Sequence, residues 1–286
     1  AATAFEAEKL GIRVCSVTVD HGLQAGSARV AEAAAKQAEA LGIETRIVRV
    51  QVGEENGPEA AARAARYQAL ADAASDLGAA AVLVGHTLDD QAETVLLGLA
   101  RGSGATSLQG MAPVTELAPG VSLLRPLLDV RRATTLAACA AAGLEPWRDP
   151  HNVDPRFARV RVRENVLPVL EAELGPGIAA ALARTAAQLR EDAEAFDEMI
   201  DETIEDIVEH AEAGISVSAA ALAANPAALR HRILRHVVAS EFGASLTRTQ
   251  TLEVARLVTE WSGQGPIDLP GCRARRVGGR IEFTAS

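Results

Sequence analysis

The densest group of reactive side chains is Gly85-His86-Thr87-Leu88-Asp89-Asp90-Gln91-Ala92-Glu93-Thr94, directly after the apolar run AAVLVG at residues 80–85. Asp90 and Glu93 stand three apart and share one face of a helix, and Asp89 lies four before Glu93. An imidazole with carboxylates so spaced can move protons, hold a metal ion or recognise an ammonium group. A plainer reading competes with this one. Thr87 with Asp90 matches a capping box, and acids in a first turn are favoured by the helix dipole. Capping asks for neither His86 nor three carboxylates within five residues, so a functional role is expected as well.

Other groups are less specific. Val19-Asp20-His21-Gly22 closes a second apolar run and either meets a nucleotide or makes a turn with Gly22. Residues 56–67, NGPEAAARAARY, put Arg63 and Arg66 one helical turn apart, as an anion site or as a solvated basic face. Arg101-Gly102-Ser103-Gly104 is a loop whose amides can approach phosphate. Trp147-Arg148-Asp149-Pro150-His151-Asn152 leads into Arg159, Arg161 and Arg163, which can grip anionic groups bidentately. In a helix Arg159 and Arg163 share a face and Arg161 points away. Near the end, Arg273, Arg275, Arg276 and Arg280 face only Asp268 and Glu282, a local basic excess suited to an RNA backbone.

The elements that must position these groups alternate. Residues 13–20, 45–52 and 80–85 read as strands, with Leu123-Leu124 in a fourth, and residues 27–41, 88–100 and 129–142 as helices; Asn56, Pro58 and Glu59 open another. This pattern predicts an α/β fold with a doubly wound, mostly parallel sheet, the third strand covered on both faces. Ligands of such sheets sit past the carboxyl ends of strands, where Asp20, His21, Gly85 and His86 fall. Residues 1–10 read as the back half of a helix ending at Gly11, with no strand ahead of it. The character changes near Asn165. A long helix over 176–211 is followed by one capped by Asn225 with Pro226 in first position, one opened by Thr247 and Gln250, and strands around Gly278-Gly279. Two domains are expected, 1–164 and 165–286, the second smaller and helical with a terminal β-hairpin.

Composition sets the outer limits. At 286 residues and 48% hydrophobic content the chain can bury a substantial core, and 23% charged residues fit neither a disordered tail nor a membrane protein. Without an apolar run of about 18 residues or a signal-peptide pattern, a cytoplasmic protein with no membrane partner is expected. Cys15, Cys139 and Cys272 form no C-x-x-C pair. A net charge of −10 leaves any RNA contact to local clusters of arginine.

Taken in order, VDHGLQ (19–24), NGPEAAARAARY (56–67), GHTLDDQAETVLLGLARGSG (85–104), RPLL (125–128) and WRDPHNVDPRFARVRVR (147–163) resemble the tRNA(Ile)-lysidine synthetase family of PP-loop ATP pyrophosphatases. The resemblance implies that ATP adenylates the wobble cytidine of tRNA(Ile) with a CAU anticodon. Free L-lysine then displaces AMP to give lysidine, with Mg²⁺ as a further cofactor. It implies that His86 stabilises phosphate charge and that Val19, Asp20, His21 and Gly85 border the nucleotide. Asp90 and Glu93 would recognise the ammonium groups of lysine, help hold Mg²⁺ or accept a proton. Arg66 and one of Arg159, Arg161 or Arg163 would meet carboxylate or phosphate. Arg101, Arg273, Arg275, Arg276 and Arg280 would contact tRNA. The family's SGG-x-DS phosphate loop is expected immediately before Ala1. Val160 stands where the family usually has Asn, and His151 replaces a common Ser. The competing readings are another PP-loop enzyme such as a tRNA thiolase, which commonly needs paired cysteines, and a non-catalytic ATP-binding module. Homodimerisation is left open.

Overall fold

The computed structural model describes the chain except residues 23, 25, 54–57, 103 and 212–213, and the side chains of 58, 59 and 211. The expected Asn56 cap and Ser103 of the glycine-rich loop therefore lie outside the described residues. Two compact units result, Ala1–Leu189 and Arg190–Ser286, so the division falls within a long helix and not at Asn165.

In the first unit, α1 (Ala2–Leu10) ends on Gly11, whose φ of 63° only glycine adopts without strain. β1 (Cys15–Asp20) and β2 (Glu44–Arg49) run parallel through α2 (Ser27–Glu39), with Asp20 opposite Arg49. α3 (Pro58–Leu77) leads to β3 (Ala81–Leu83), and α4 (Leu88–Ala100) and the short α5 (Ala105–Leu108) follow. β4 (Val114–Ala118) turns back antiparallel onto β5 (Val121–Leu124), which lies parallel to β3. α6 (Arg132–Ala141) comes next. A short 3₁₀ turn (Pro150–Val153) then leads into a helical stretch built of α7 (Ala158–Arg161), a π-helical turn (Val162–Val166) and α8 (Leu167–Glu173). β5 contains the strand expected at Leu123-Leu124, whereas β4 and its antiparallel pairing are new relative to the sequence pattern. Leu83 is 47% exposed, so β3 is not covered on both faces as its apolar run suggests.

α9 (Ile178–Ile207) stops four residues earlier than its periodicity suggests, because β6 (Val208–Ala211) pairs with β7 (Gly214–Ser218). α10 (Ala219–Ala224), α11 (Ala227–Phe242) and α12 (Arg248–Thr259) follow. Thr247 and Gln250 form the expected capping box, but Asn225 does not cap α11. Its side-chain amide instead donates to the carbonyl of Ala221 and closes α10, while Pro226 is the residue before α11. β8 (Ile267–Leu269), β9 (Cys272–Val277) and β10 (Arg280–Ala285) complete an antiparallel sheet of order β6-β7-β10-β9-β8. Period-two alternation turns Cys272, Ala274, Ile281 and Phe283 inward against Leu229, Ile233, Leu234, Val237 and Val238 of α11. That apolar core holds the second unit together.

Candidate functional site

The start of α4 carries both readings of its acids at once. Thr87 caps the helix, and Asp90 Oδ2 accepts from the Thr87 backbone N–H at 2.8 Å and from its hydroxyl at 2.6 Å. Asp90 Oδ1 is left free for Arg132 Nη2 at 2.9 Å and Arg163 Nη2 at 3.6 Å. Glu93, one turn on, has no exposure at all. Its Oε1 accepts from Arg163 Nε at 2.7 Å and Arg132 Nη2 at 3.0 Å, and Oε2 accepts from Arg163 Nη2 at 3.0 Å. Arg159 Nη1 stands 3.5 Å from Oε2, and its Nη2 donates to Thr94 Oγ1. Asp89 takes the backbone N–H of Arg132 at 2.7 Å and pairs with Arg131 at 3.2 Å. A buried carboxylate persists only when its oxygens are bonded and its charge matched, and here guanidinium groups from two other segments do both. Arg159 reaches it from α7 and Arg163 from the π turn that follows, a local distortion that recurs at functional sites.

Beside this matched network lies an unmatched one. Arg66, on α3, is held below the usual arginine range by burial, then by Arg63 one turn away, with Tyr67 acting the other way. Arg63 and Arg66 flank the Tyr67 ring at 4.9 and 5.7 Å, and among the described residues no carboxylate pairs with either. Nδ1 of His21, past β1, and Nδ1 of His86, past β3, are buried without a hydrogen-bond partner. His86 is pushed down to about 4, first by burial and then by Arg125, Arg63 and Arg66, against the pull of Asp90. His21 is lowered by burial and by Arg66, with Asp20 opposing. Cations and orphaned ring nitrogens from separate elements thus converge, and among the described residues the carboxylates acting on the rings are Asp20 and Asp90, both already engaged elsewhere. Orphaned buried groups of this kind fit an anionic ligand.

The other expected site residues have the following surroundings. Asp20 is buried and builds the turn, accepting from Gly22 N at 3.0 Å and pairing with Arg49 at 3.3 Å. Hydrogen bonds from Ser27 and Gly22, then Arg49, hold its carboxyl below the usual range against burial. Val19 is the last residue but one of β1, opposite Val48, and Gly85 leaves open space where a side chain would stand. Arg161 donates to the carbonyls of Pro155 and Arg156 at 2.7 and 2.9 Å, so it shapes the loop and does not join the cluster. Arg101 is exposed and donates to Leu97 O. The basic excess of the terminal hairpin is internally spent. Arg273 pairs with Asp268 and Arg275 with Glu282, Arg276 donates to the Leu257 and Val258 carbonyls, and Arg280 binds Ser216, Ile207 O and Glu209.

Other residues of the site were not singled out by sequence. Arg131 and Arg132 lie at the start of α6, where cations oppose the dipole unless paired; that conflict was the available signal. Arg125 of RPLL is buried, its Nη1 donating to Ala112 O and Thr115 Oγ1 while Nε finds no partner. Gln24 joins two distant motifs, its amide 2.9 Å from Asp149 Oδ1 and 2.8 Å from His151 Nδ1. Gln24 also lines an open groove together with Arg29, Trp147 and Pro150.

Sheet, helix starts and site define the class, an ATP-utilising PP-loop protein, and residues 1–170 match the family described as a PP-loop domain. Residues 218–282 match the TilS substrate binding domain. The tRNA(Ile)-lysidine synthase of Leifsonia xyli subsp. xyli is 58% identical over 285 residues, covering 99% of this chain and 84% of the relative. That of Thermobifida fusca is 50% identical over 288 residues, covering 99% and 86%. The chain belongs to the tRNA(Ile)-lysidine synthase family. Among solved structures, the U34-tRNA thiolase NcsA from Methanococcus maripaludis with its [4Fe-4S] cluster aligns with a TM-score of 0.55. At 20% identity over 66% of this chain and 68% of that one, this likeness concerns the fold alone.

Proposed function

We propose that this chain works in the cytoplasm and uses ATP to join free L-lysine to the wobble cytidine of a CAU-anticodon tRNA(Ile). The 2-carbonyl oxygen of the base attacks the α-phosphorus and pyrophosphate leaves. The side-chain amine of lysine then attacks C2, AMP leaves with the oxygen, and the amine gives up a proton. The observation that carries this reading is the nearness of two opposed neighbourhoods: Arg63 and Arg66, which pair with no carboxylate among the described residues, with the partnerless ring nitrogens of His21 and His86, and the carboxylates of Asp90 and Glu93 roofed by arginine.

ATP supplies the leaving group, and the orphaned imidazole nitrogens with Arg66 suit its negative charge. His86, neutral at pH 7 in this state, donates or accepts a hydrogen bond and becomes cationic only as an anion arrives. Mg²⁺ does not fit Asp90, whose oxygens are taken by Thr87, Arg132 and Arg163 and whose nearest charges are positive. Lysine carries an ammonium and a carboxylate, so it can enter the network by exchange, its ammonium replacing a guanidinium on Asp90 and its carboxylate taking the arginine released. Burial works to raise the Asp90 pKa, but hydrogen bonds from Thr87 and the charges of Arg132 and Arg163 hold it below the usual range. It is thus a weak proton acceptor, better suited to orienting the amine than to deprotonating it. Glu93 positions the arginines. The three cysteines stand apart, on β1, α6 and β9, which gives the thiolase reading no paired thiols to use.

The test incubates the full-length protein with ATP, labelled lysine and CAU-anticodon tRNA(Ile). Label in the tRNA and lysine-dependent AMP release are expected. A protein that binds ATP but releases no AMP with lysine and tRNA together is a nucleotide-binding module.

A further inference from the structure

Arginines of the second unit divide into two kinds. Those of the terminal hairpin are answered by acids or carbonyls, as described above. Those on α11 and at the start of α12 are not. Arg232 lies over the Phe196 ring at 4.4 Å, and Arg235 and Arg248 meet no carboxylate among the described residues. Only Arg230 is spent on structure, donating to the carbonyls of Leu222 and Asn225.

Helical spacing gathers the unspent groups. His231 and Arg235 are four apart, Arg232 and Arg235 three, Arg232 and His236 four, so they line the face of α11 opposite its buried Leu229, Ile233, Leu234, Val237 and Val238. The charges acting on Arg235 are those of Arg232 and Arg248, and on His231 those of Arg230, Arg235 and Arg248, all of one sign. Burial comes first in lowering both groups, and no carboxylate opposes it. Glu241 and Glu253, the acids on these two helices, pair with none of them. A chain with 38 acidic residues and a net charge of −10 thus keeps like charges crowded on one helical face, with no acid among the described residues paired to them. Such crowding is offset when a polyanion covers it.

We infer that the outer face of α11, extended by Arg248, is where this chain grips the sugar-phosphate backbone of its tRNA, and that the terminal hairpin is not. The inference rests on the tRNA-modifying role proposed above. The guanidinium groups take phosphate oxygens, a contact that orients the RNA without reading its sequence.

The test compares Arg235→Gln/Arg248→Gln with Arg273→Gln/Arg275→Gln in the full chain, measuring tRNA Kd across salt concentrations, Tm, and lysine-dependent AMP release. The first pair removes no internal hydrogen bond, so an unchanged or slightly raised Tm is expected, which a merely structural role would not give. Its Kd should rise at least about tenfold, and the slope of log K against log salt should flatten by about 1.5, as for two lost phosphate contacts. The hairpin pair should change Kd less than about twofold. Equal or greater loss from the hairpin pair, or unaltered binding by the first pair, overturns the inference while wild-type AMP release keeps the proposed reaction. A wild-type chain that neither binds this tRNA nor releases AMP overturns both.

Discussion

The two units bury different kinds of side chain. Among the described residues, the largest fully buried side chains are those of Phe283, Leu222, Ile233, Leu234, Leu257, Ile281, Val217, Val237, Val238, Val254 and Thr251, all in the second unit, together with Glu93 in the first. The second unit therefore owes its shape to apolar area removed from water, with its charges at the rim. The first unit draws α4, α6 and α7 together around carboxylates and guanidinium groups, and its enclosed apolar residues are largely alanine. An apolar core tolerates changes that keep its volume, whereas a buried ionic cluster fails when one member is removed. The lesson is that stability and chemistry are separable in the second unit and entangled in the first.

Truncating each centre breaks the comparison most directly. Phe283→Ala should cost about 3–5 kcal/mol in urea unfolding, from lost burial and a cavity, while folded molecules still adenylate. Retention of full stability would mean that the sheet does not depend on that ring. Glu93→Gln should cost somewhat less, about 3 kcal/mol, because Arg132, Arg159 and Arg163 remain partly solvated and can turn to water. It should nonetheless abolish lysine-dependent AMP release, since those arginines lose their anchor. A Gln variant with wild-type turnover would reduce Glu93 to packing. Gly98→Ala tests the neck of the same helix. A Cβ there would meet the Ser107 carbonyl oxygen at 2.5 Å, so about 1–3 kcal/mol should be lost, and a neutral result would show that α5 yields freely.

Sequence disclosed these regions unequally, for physical reasons. The helix start at Thr87 was legible because capping and acid spacing are local, and the shared face of Arg159 and Arg163 followed from helical geometry. The pairing of Glu93 with Arg132 and Arg163 was not, since it joins residues 39 and 70 positions apart. In the second unit the hairpin turn at Gly278-Gly279 was plain, but the pairing of its arginines was not. A count of basic residues says nothing of register, and register sets Arg273 beside Asp268 and Arg275 beside Glu282. The unspent arginines of α11 lay inside an ordinary amphipathic pattern, where only the absence of nearby acids marks them. The early stop of α9 was likewise hidden, because pairing of β6 with β7 overrides a periodic run.

The smallest expected effect concerns protons and sharpens the contrast within the first unit itself. His86 holds its folded pKa at about 4, below the ordinary 6.5, chiefly through burial and the cations around it. The folded state therefore resists a proton that the unfolded chain accepts, so this stabilisation is complete above about pH 6.5 and fades as pH falls toward 4. His21, lowered by burial and Arg66, works in the same direction. A polyphosphate beside these rings reverses the balance, since a nearby anion favours the cationic imidazole. ATP binding at pH 6 should then take up a fraction of a proton, seen as a dependence of calorimetric enthalpy on the ionisation enthalpy of the buffer. His86→Asn should diminish that uptake and flatten the loss of stability between pH 6.5 and 4. Buffer-independent enthalpies in the wild type would mean that the nucleotide's charge is met by the arginines alone, leaving His86 a bystander to the anion.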